Sequence, residues 1–138
     1  MDGQSIKKDN SKAKEYFELG AKQNDSFAIF NLGLLYYLGD GVKQDYLKAK
    51  EYFELSAKQN NSNALCYLGV LYFEGYGVNQ DINLAKKYLE QSSDFGNSDA
   101  SNYLGCLYLD GLGVQQDLTL ENTLNYQLNI IMQIASII

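Results

Sequence analysis

The chain has 138 residues, 46% of them hydrophobic and 20% charged, which is enough to core one domain and short for two. It contains no His, Arg, Trp or Pro, which excludes Ser-His-Asp and Cys-His catalysis, His-bound zinc and the bidentate guanidinium fork for phosphate or guanine. A formal charge of −6 repels polyanions, so nucleic acid is not an expected partner.

The opening stretch, MDGQSIKKDNSKAKEYF, is polar and lysine-rich and does not read as a secretory signal. Nowhere is there the run of about 18 apolar residues that a membrane-spanning helix needs. Cys66 and Cys106 are the only cysteines, and two thiols without a signal point to a reduced, cytoplasmic setting.

The chain is a tandem array with a period of 36 residues. Residues 1–25 read as a half repeat, 26–61 and 62–97 as full repeats, and 98–117 as the start of another, followed by a divergent tail at 118–138. Asp9, Ala13, Tyr16 and Ala21 in the half repeat match Asp45, Ala49, Tyr52 and Ala57 in the next. In each full repeat Ala28, Leu32, Leu35 and Tyr36 follow helical spacing, which predicts a helix A over about 26–38 with Asp25, Asn61 or Asn97 as N-cap. Gly39 and Gly41 then suit a tight loop, with Val42 folded back as an apolar anchor. Asp45, Asp81 and Asp117 are expected to cap a helix B whose inner stripe is Ala49, Tyr52, Phe53, Ser56 and Ala57. Glu54 is placed for a pair with Lys58 four residues on.

Gly33, Gly69 and Gly105 recur inside helix A, where glycine costs about 1 kcal/mol against alanine. A cost repeated at one position implies that the missing side chain makes room for helix B to pack closely.

Ala64, Leu68-Gly69, Tyr72, Gly75-Tyr76-Gly77-Val78, Asp81, Ala85 and Tyr88 together resemble the Sel-1-like repeat, a relative of the tetratricopeptide repeat. The resemblance covers about residues 3–117 and implies an all-α fold, an αα-solenoid of helical hairpins stacked into a right-handed superhelix. It also implies a role as adaptor or scaffold in multiprotein complexes. The chain lacks the cysteine pair per repeat that some secreted bacterial members carry.

The pattern fails at both ends. The first helix B has no helix A before it, so a face including Tyr16 and Phe17 is expected to be open. After Asp117, Glu121 stands where Ala is expected and Leu124 where Tyr is expected. The tail is open to three readings: a divergent cap, an out-of-frame or truncated end, or a docking segment. All three leave Ile130, Ile131, Ile134, Ile137 and Ile138 in need of cover.

By analogy with the tetratricopeptide repeat, the concave wall falls on the outward face of the A helices. That assigns partner binding to Phe27, Phe30, Leu34 and Tyr37, then Asn63, Cys66, Val70 and Phe73, then Asp99, Asn102, Cys106 and Leu109. One end of this wall is aromatic and the other acidic, which suits a peptide with apolar anchors at one end and basic residues at the other. The alternative is that Phe27, Phe30 and Tyr37 simply pack on neighbouring helices. The acidic surplus lies wholly after Lys87, in Glu90, Asp94, Asp99, Asp110, Asp117 and Glu121, and reads as a solvated face or as a surface for a basic partner.

Other chemistry is sparse. The Gly-x-Gly-Val loop lacks the third glycine and the preceding strand of a dinucleotide site. Two thiols without His fall short of a closed zinc site, so neither metal nor cofactor is expected. The expected function is a non-enzymatic adaptor that binds a protein or peptide on its concave face. The alternatives are a hydrolase using carboxylates such as Glu74 and Asp110, or a fragment of a longer scaffold.

Overall fold

In the computed structural model, residues 7–111, 128 and 130–136 are described. Within residues 7–111 six helices follow one another: α1 Asn10–Lys22, α2 Ser26–Leu38, α3 Tyr46–Ala57, α4 Ser62–Glu74, α5 Ile82–Asp94 and α6 Ser98–Leu109. There is no strand among the described residues. Helices α2, α4 and α6 are the A helices, and α1, α3 and α5 are the B helices. Each helix packs chiefly on its neighbours in sequence, the connectivity of an αα-solenoid.

The helix starts are chemically specified. Asp9, Asp45 and Asp81 each accept a hydrogen bond at 3.0 Å from the backbone N–H three residues on. Asn61 and Asn97 do the same for α4 and α6, and Asp25 accepts from Phe27 and Ala28 for α2. Such a cap contributes about 1 kcal/mol, and an array of caps fixes where every helix begins.

Helices α2 and α4 also end in one way, whereas α6 ends on Asp110 in the right-handed region with Gly111 at φ 69° one residue later. Gly39 and Gly75 take left-handed φ values of 69° and 73°, and the residue after each donates its N–H to a carbonyl inside the helix. The loop is closed by Asp45 N–H on the Tyr36 carbonyl and Asp81 N–H on the Tyr72 carbonyl, both at 2.9 Å. A second clamp comes from Gln44, whose Nε2 donates to the Tyr37 carbonyl at 2.9 Å, and from Gln80, which donates to the Phe73 carbonyl at 2.8 Å. The turns from B to A use the left-handed region at Asn24, Asn60 and Gly96, residue types that tolerate it.

The core lies between successive hairpins. Ala49, Phe53, Ala64, Leu68 and Leu71 are fully enclosed, and Leu89, Ala100 and Leu107 continue the layer. A Cβ on Gly33 would stand 2.7 Å from Phe53 Cε1, and one on Gly69 would stand 2.7 Å from Leu89 Cγ. The close approach expected at this column is therefore present at Gly33 and Gly69, whereas at Gly105 no atom lies within 4 Å of where a Cβ would stand, and the helix B expected after Asp117 lies outside the described residues. Ser56 and Ser92, fully buried, each donate a 2.7 Å hydrogen bond to the first carbonyl of the A helix in the same repeat.

The expected pair between Glu54 and Lys58 is replaced by one between Glu54 and Lys50 at 2.9 Å. Lys58 lies at the C-cap of α3, beyond its last helical residue, whereas Lys50 lies one turn back on the same face. Lys14–Glu18 and Lys86–Glu90 repeat this pairing, so it belongs to the repeat rather than to one helix.

At the N-terminal end Tyr16 is 70% exposed and Phe17 half-buried. The expectations for Asp117, Glu121, Leu124, Ile137 and Ile138 lie outside the described residues. Residues 130–136 are helical, with Ile131, Met132 and Ile134 exposed.

Candidate functional site

The A helices jointly line an open cavity of about 380 Å³. Tyr37 reaches it from the last turn of α2, and Cys66, Tyr67 and Val70 from the middle of α4. Helix α6 contributes Asp99, Asn102, Tyr103 and Cys106, spaced i, i+3, i+4 and i+7, one face of a helix. The volume is in the range of about 300–1,000 Å³ typical of sites that hold a small molecule or a side chain of a partner.

Six residues expected on the wall line this cavity: Tyr37, Cys66, Val70, Asp99, Asn102 and Cys106. The other six stand elsewhere. Phe27 and Leu109 are exposed at the two ends of the A-helix series, and Asn63 accepts a hydrogen bond from Asn97 Nδ2 at 2.9 Å. Leu34 packs on the first core cluster and Phe73 on the second.

Phe30 requires a correction. It is only 7% exposed, with ring centroids 5.6 Å from both Phe53 and Tyr67, so it is a core residue and offers nothing to a partner. The same column holds the small Cys66 in the next repeat and the polar Asn102 in the third. Cys66 is buried as well, at 5% exposed, and packs in the second core cluster, so it borders the cavity from the core side, while Asn102 alone in this column is exposed.

Two cavity residues, Tyr67 and Tyr103, were not expected. They share a column with Asn31, directly after the Phe30 column, and the tyrosine recurring in two of three repeats was the available signal. Tyr37 meets Tyr67 edge to face at 5.0 Å and 84°. Tyr67 in turn lies 5.3 Å from Phe53, so the aromatic floor is continuous with the core.

Burial pushes the Tyr37 phenol up to about 12, reinforced by Tyr46 and Tyr67. Burial also raises the Cys66 thiol to about 11, with the Asp99 carboxylate adding to the shift. Tyr67 and Tyr103 move up for the same primary reason. These groups stay protonated at neutral pH, which makes Cys66 a poor nucleophile and a poor metal ligand. Among the described residues no three of His, Cys, Asp and Glu gather as a ligand set. Glu74, the last residue of α4, and Asp110, the C-cap of α6, both lie off the cavity wall.

The description of the Sel1 repeat fits residues 1–25, 26–61, 62–97 and 98–120 of this chain. The chain belongs to the Sel1 repeat family. Its all-helical solenoid and its repeat pattern are those of Sel1 proteins, which generally mediate protein–protein interactions.

Solved Sel1 structures agree with the fold. A Sel1 repeat protein from Oxalobacter formigenes is 33% identical, with a TM-score of 0.75 over 90% of this chain and 50% of its own. The protective antigen c5321 of uropathogenic Escherichia coli is likewise 33% identical with a TM-score of 0.75, covering 83% of this chain and 24% of that one. Helicobacter pylori cysteine-rich protein B is 27% identical, with a TM-score of 0.65 over 70% of this chain and 73% of its own. The chain thus spans half the length of the first and a quarter of the second. Among curated proteins none matches it. No Sel1 helix among the described residues is long and apolar enough to cross a membrane.

Proposed function

We propose that this Sel1 chain is a non-enzymatic adaptor that holds a segment of a partner protein along the concave wall of its A helices. The observation that carries this reading is the cavity into which α2, α4 and α6 all contribute side chains. A groove shared by successive repeats accommodates an extended or helical segment better than a compact metabolite. Its aromatic floor supplies apolar area, and its rim offers the polar groups of Asp99 and Asn102. The cytoplasmic setting expected from the sequence belongs to the same reading.

The carboxylates of the hydrolase alternative, Glu74 and Asp110, stand outside this groove, and no observation favours that route. A second reading, in which these repeats form one stretch of a longer scaffold, is supported by the fraction of the Oxalobacter and Escherichia relatives that the chain spans. Cooperative unfolding that sharpens when flanking repeats are added would favour it.

The groove reading is tested by affinity capture of the native partner with Asn102→Ala and Tyr103→Ala. Both residues are exposed, so the folded state should persist while capture falls about tenfold, a loss of about 1.4 kcal/mol. Unchanged capture by both variants would contradict the assignment.

A further inference from the structure

We propose that the cavity receives one arginine side chain of the bound protein segment, with the guanidinium among the Tyr37, Tyr67 and Tyr103 rings and against the Asp99 carboxylate. The proposal deepens the groove reading and rests on it.

Three tyrosine rings and one carboxylate converge on a single cavity, and among the described residues Asp99 is the only charged one lining it. Aromatic faces carry negative potential, and a cation within about 6 Å of a ring centroid is attracted to it. The chain uses this contact internally. Lys48 Nζ lies 4.9 Å from the centre of the Tyr36 ring, and Lys86 Nζ lies 5.5 Å from that of Tyr108. The cavity has tyrosines of the same kind but no lysine on its wall, and the sequence has no Lys after position 87. A cation from outside completes the arrangement.

The choice among occupants follows from what each would leave unpaired. A carboxylate-bearing side chain would meet Asp99 with like charge and find no base on the wall. An aliphatic side chain would cover Asp99 and Asn102 without replacing the water that solvates them, which costs free energy. Arginine satisfies both. Its planar, weakly hydrated guanidinium stacks on aromatic rings, and its forked N–H groups can donate to the Asp99 carboxylate and the Asn102 amide oxygen. Lysine brings the charge but neither the plane nor the fork.

The test uses four blocked pentapeptides, acetyl-Ala-Ala-Xaa-Ala-Ala-amide with Xaa as Arg, citrulline, Leu or Glu, titrated into the whole chain and followed by NMR. The arginine peptide should shift the Tyr67, Asp99 and Tyr103 resonances and bind at least tenfold more tightly than its citrulline isostere. Asp99→Asn should weaken the arginine peptide about tenfold while leaving the leucine peptide unchanged. Equal binding by the citrulline or leucine peptide overturns the arginine assignment and leaves the groove itself intact. Failure of the arginine peptide to shift these resonances also overturns it. The groove reading then stands or falls on capture of the native partner by Asn102→Ala and Tyr103→Ala.

Discussion

Tyr46, the first residue of α3, stacks on Tyr76, the residue between the two loop glycines of the following repeat, with centroids 4.9 Å apart and planes 11° from parallel. One repeat earlier the same two columns hold Asn10 and Asp40, joined by a hydrogen bond of 2.7 Å. The junction between repeats is therefore matched in kind, aromatic with aromatic and polar with polar. A double-mutant cycle on Tyr46→Ala and Tyr76→Ala should give a coupling of about 0.5–1.5 kcal/mol. Additive losses in urea denaturation would show that the stacked rings do not interact.

Gly69 separates α4 from α5 by less than one methyl group. Gly69→Ala gains helix propensity but places a Cβ 2.7 Å from Leu89 Cγ, and Gly69→Leu adds far more bulk. Overpacking of this kind costs about 1–3 kcal/mol, so the leucine variant should melt clearly below the parent. An unshifted melting curve for Gly69→Leu would rule out the close-approach argument.

The buried hydroxyls of Ser56 and Ser92 occupy one column and make the same bond to the start of an A helix. Ser56→Ala and Ser92→Ala should each cost about 1 kcal/mol by thermal or urea unfolding, and by similar amounts. A large effect at one and none at the other would mean that the two repeats are not energetically equivalent.

Phe30 and Tyr103 separate stability from binding. Phe30→Ala opens the core and should cost about 3–5 kcal/mol. Tyr103→Ala, at a 43% exposed position, should leave the melting temperature nearly unchanged and weaken partner capture. Calorimetry paired with capture checks both, and equal thermal losses would place Tyr103 in the core.

Stability should fall on the alkaline side. Tyr37 and Cys66 titrate near 10 and 9 when unperturbed, and burial in the folded chain raises them to about 12 and about 11. Above pH 9 the unfolded chain releases these protons while the folded chain retains them. Their contribution is complete below about pH 9 and is lost as pH rises towards 12. Urea midpoints at pH 8 and pH 11 should show the decline, and a flat profile would contradict the burial of both groups.

Much of the fold was legible because each boundary is written into the repeat. Asp25, Asp45, Asn61, Asp81 and Asn97 recur as caps, and helix A was expected over the residues that α2 occupies. The Gln44 and Gln80 clamps went unread because a side chain bonding to a carbonyl seven residues back leaves no helical period. The cavity was half legible. Helical spacing finds the face that Cys66, Val70, Asn102 and Cys106 share, but it cannot tell that Phe30 packs inward on Phe53 and Tyr67. Tyr67 and Tyr103 escaped notice since they sit one residue around the helix from the expected wall, where packing rather than periodicity decides which side faces the groove.

The central claim, that a partner segment lies along the A-helix groove, is tested most directly by site-specific photocrosslinking followed by mass spectrometry of the native complex. A photoreactive residue at position 102, on α6 beside the cavity, should crosslink to one continuous segment of the partner, while the same group at exposed Lys87 on α5 should give none. Crosslinks from position 87 with none from position 102 would contradict the account.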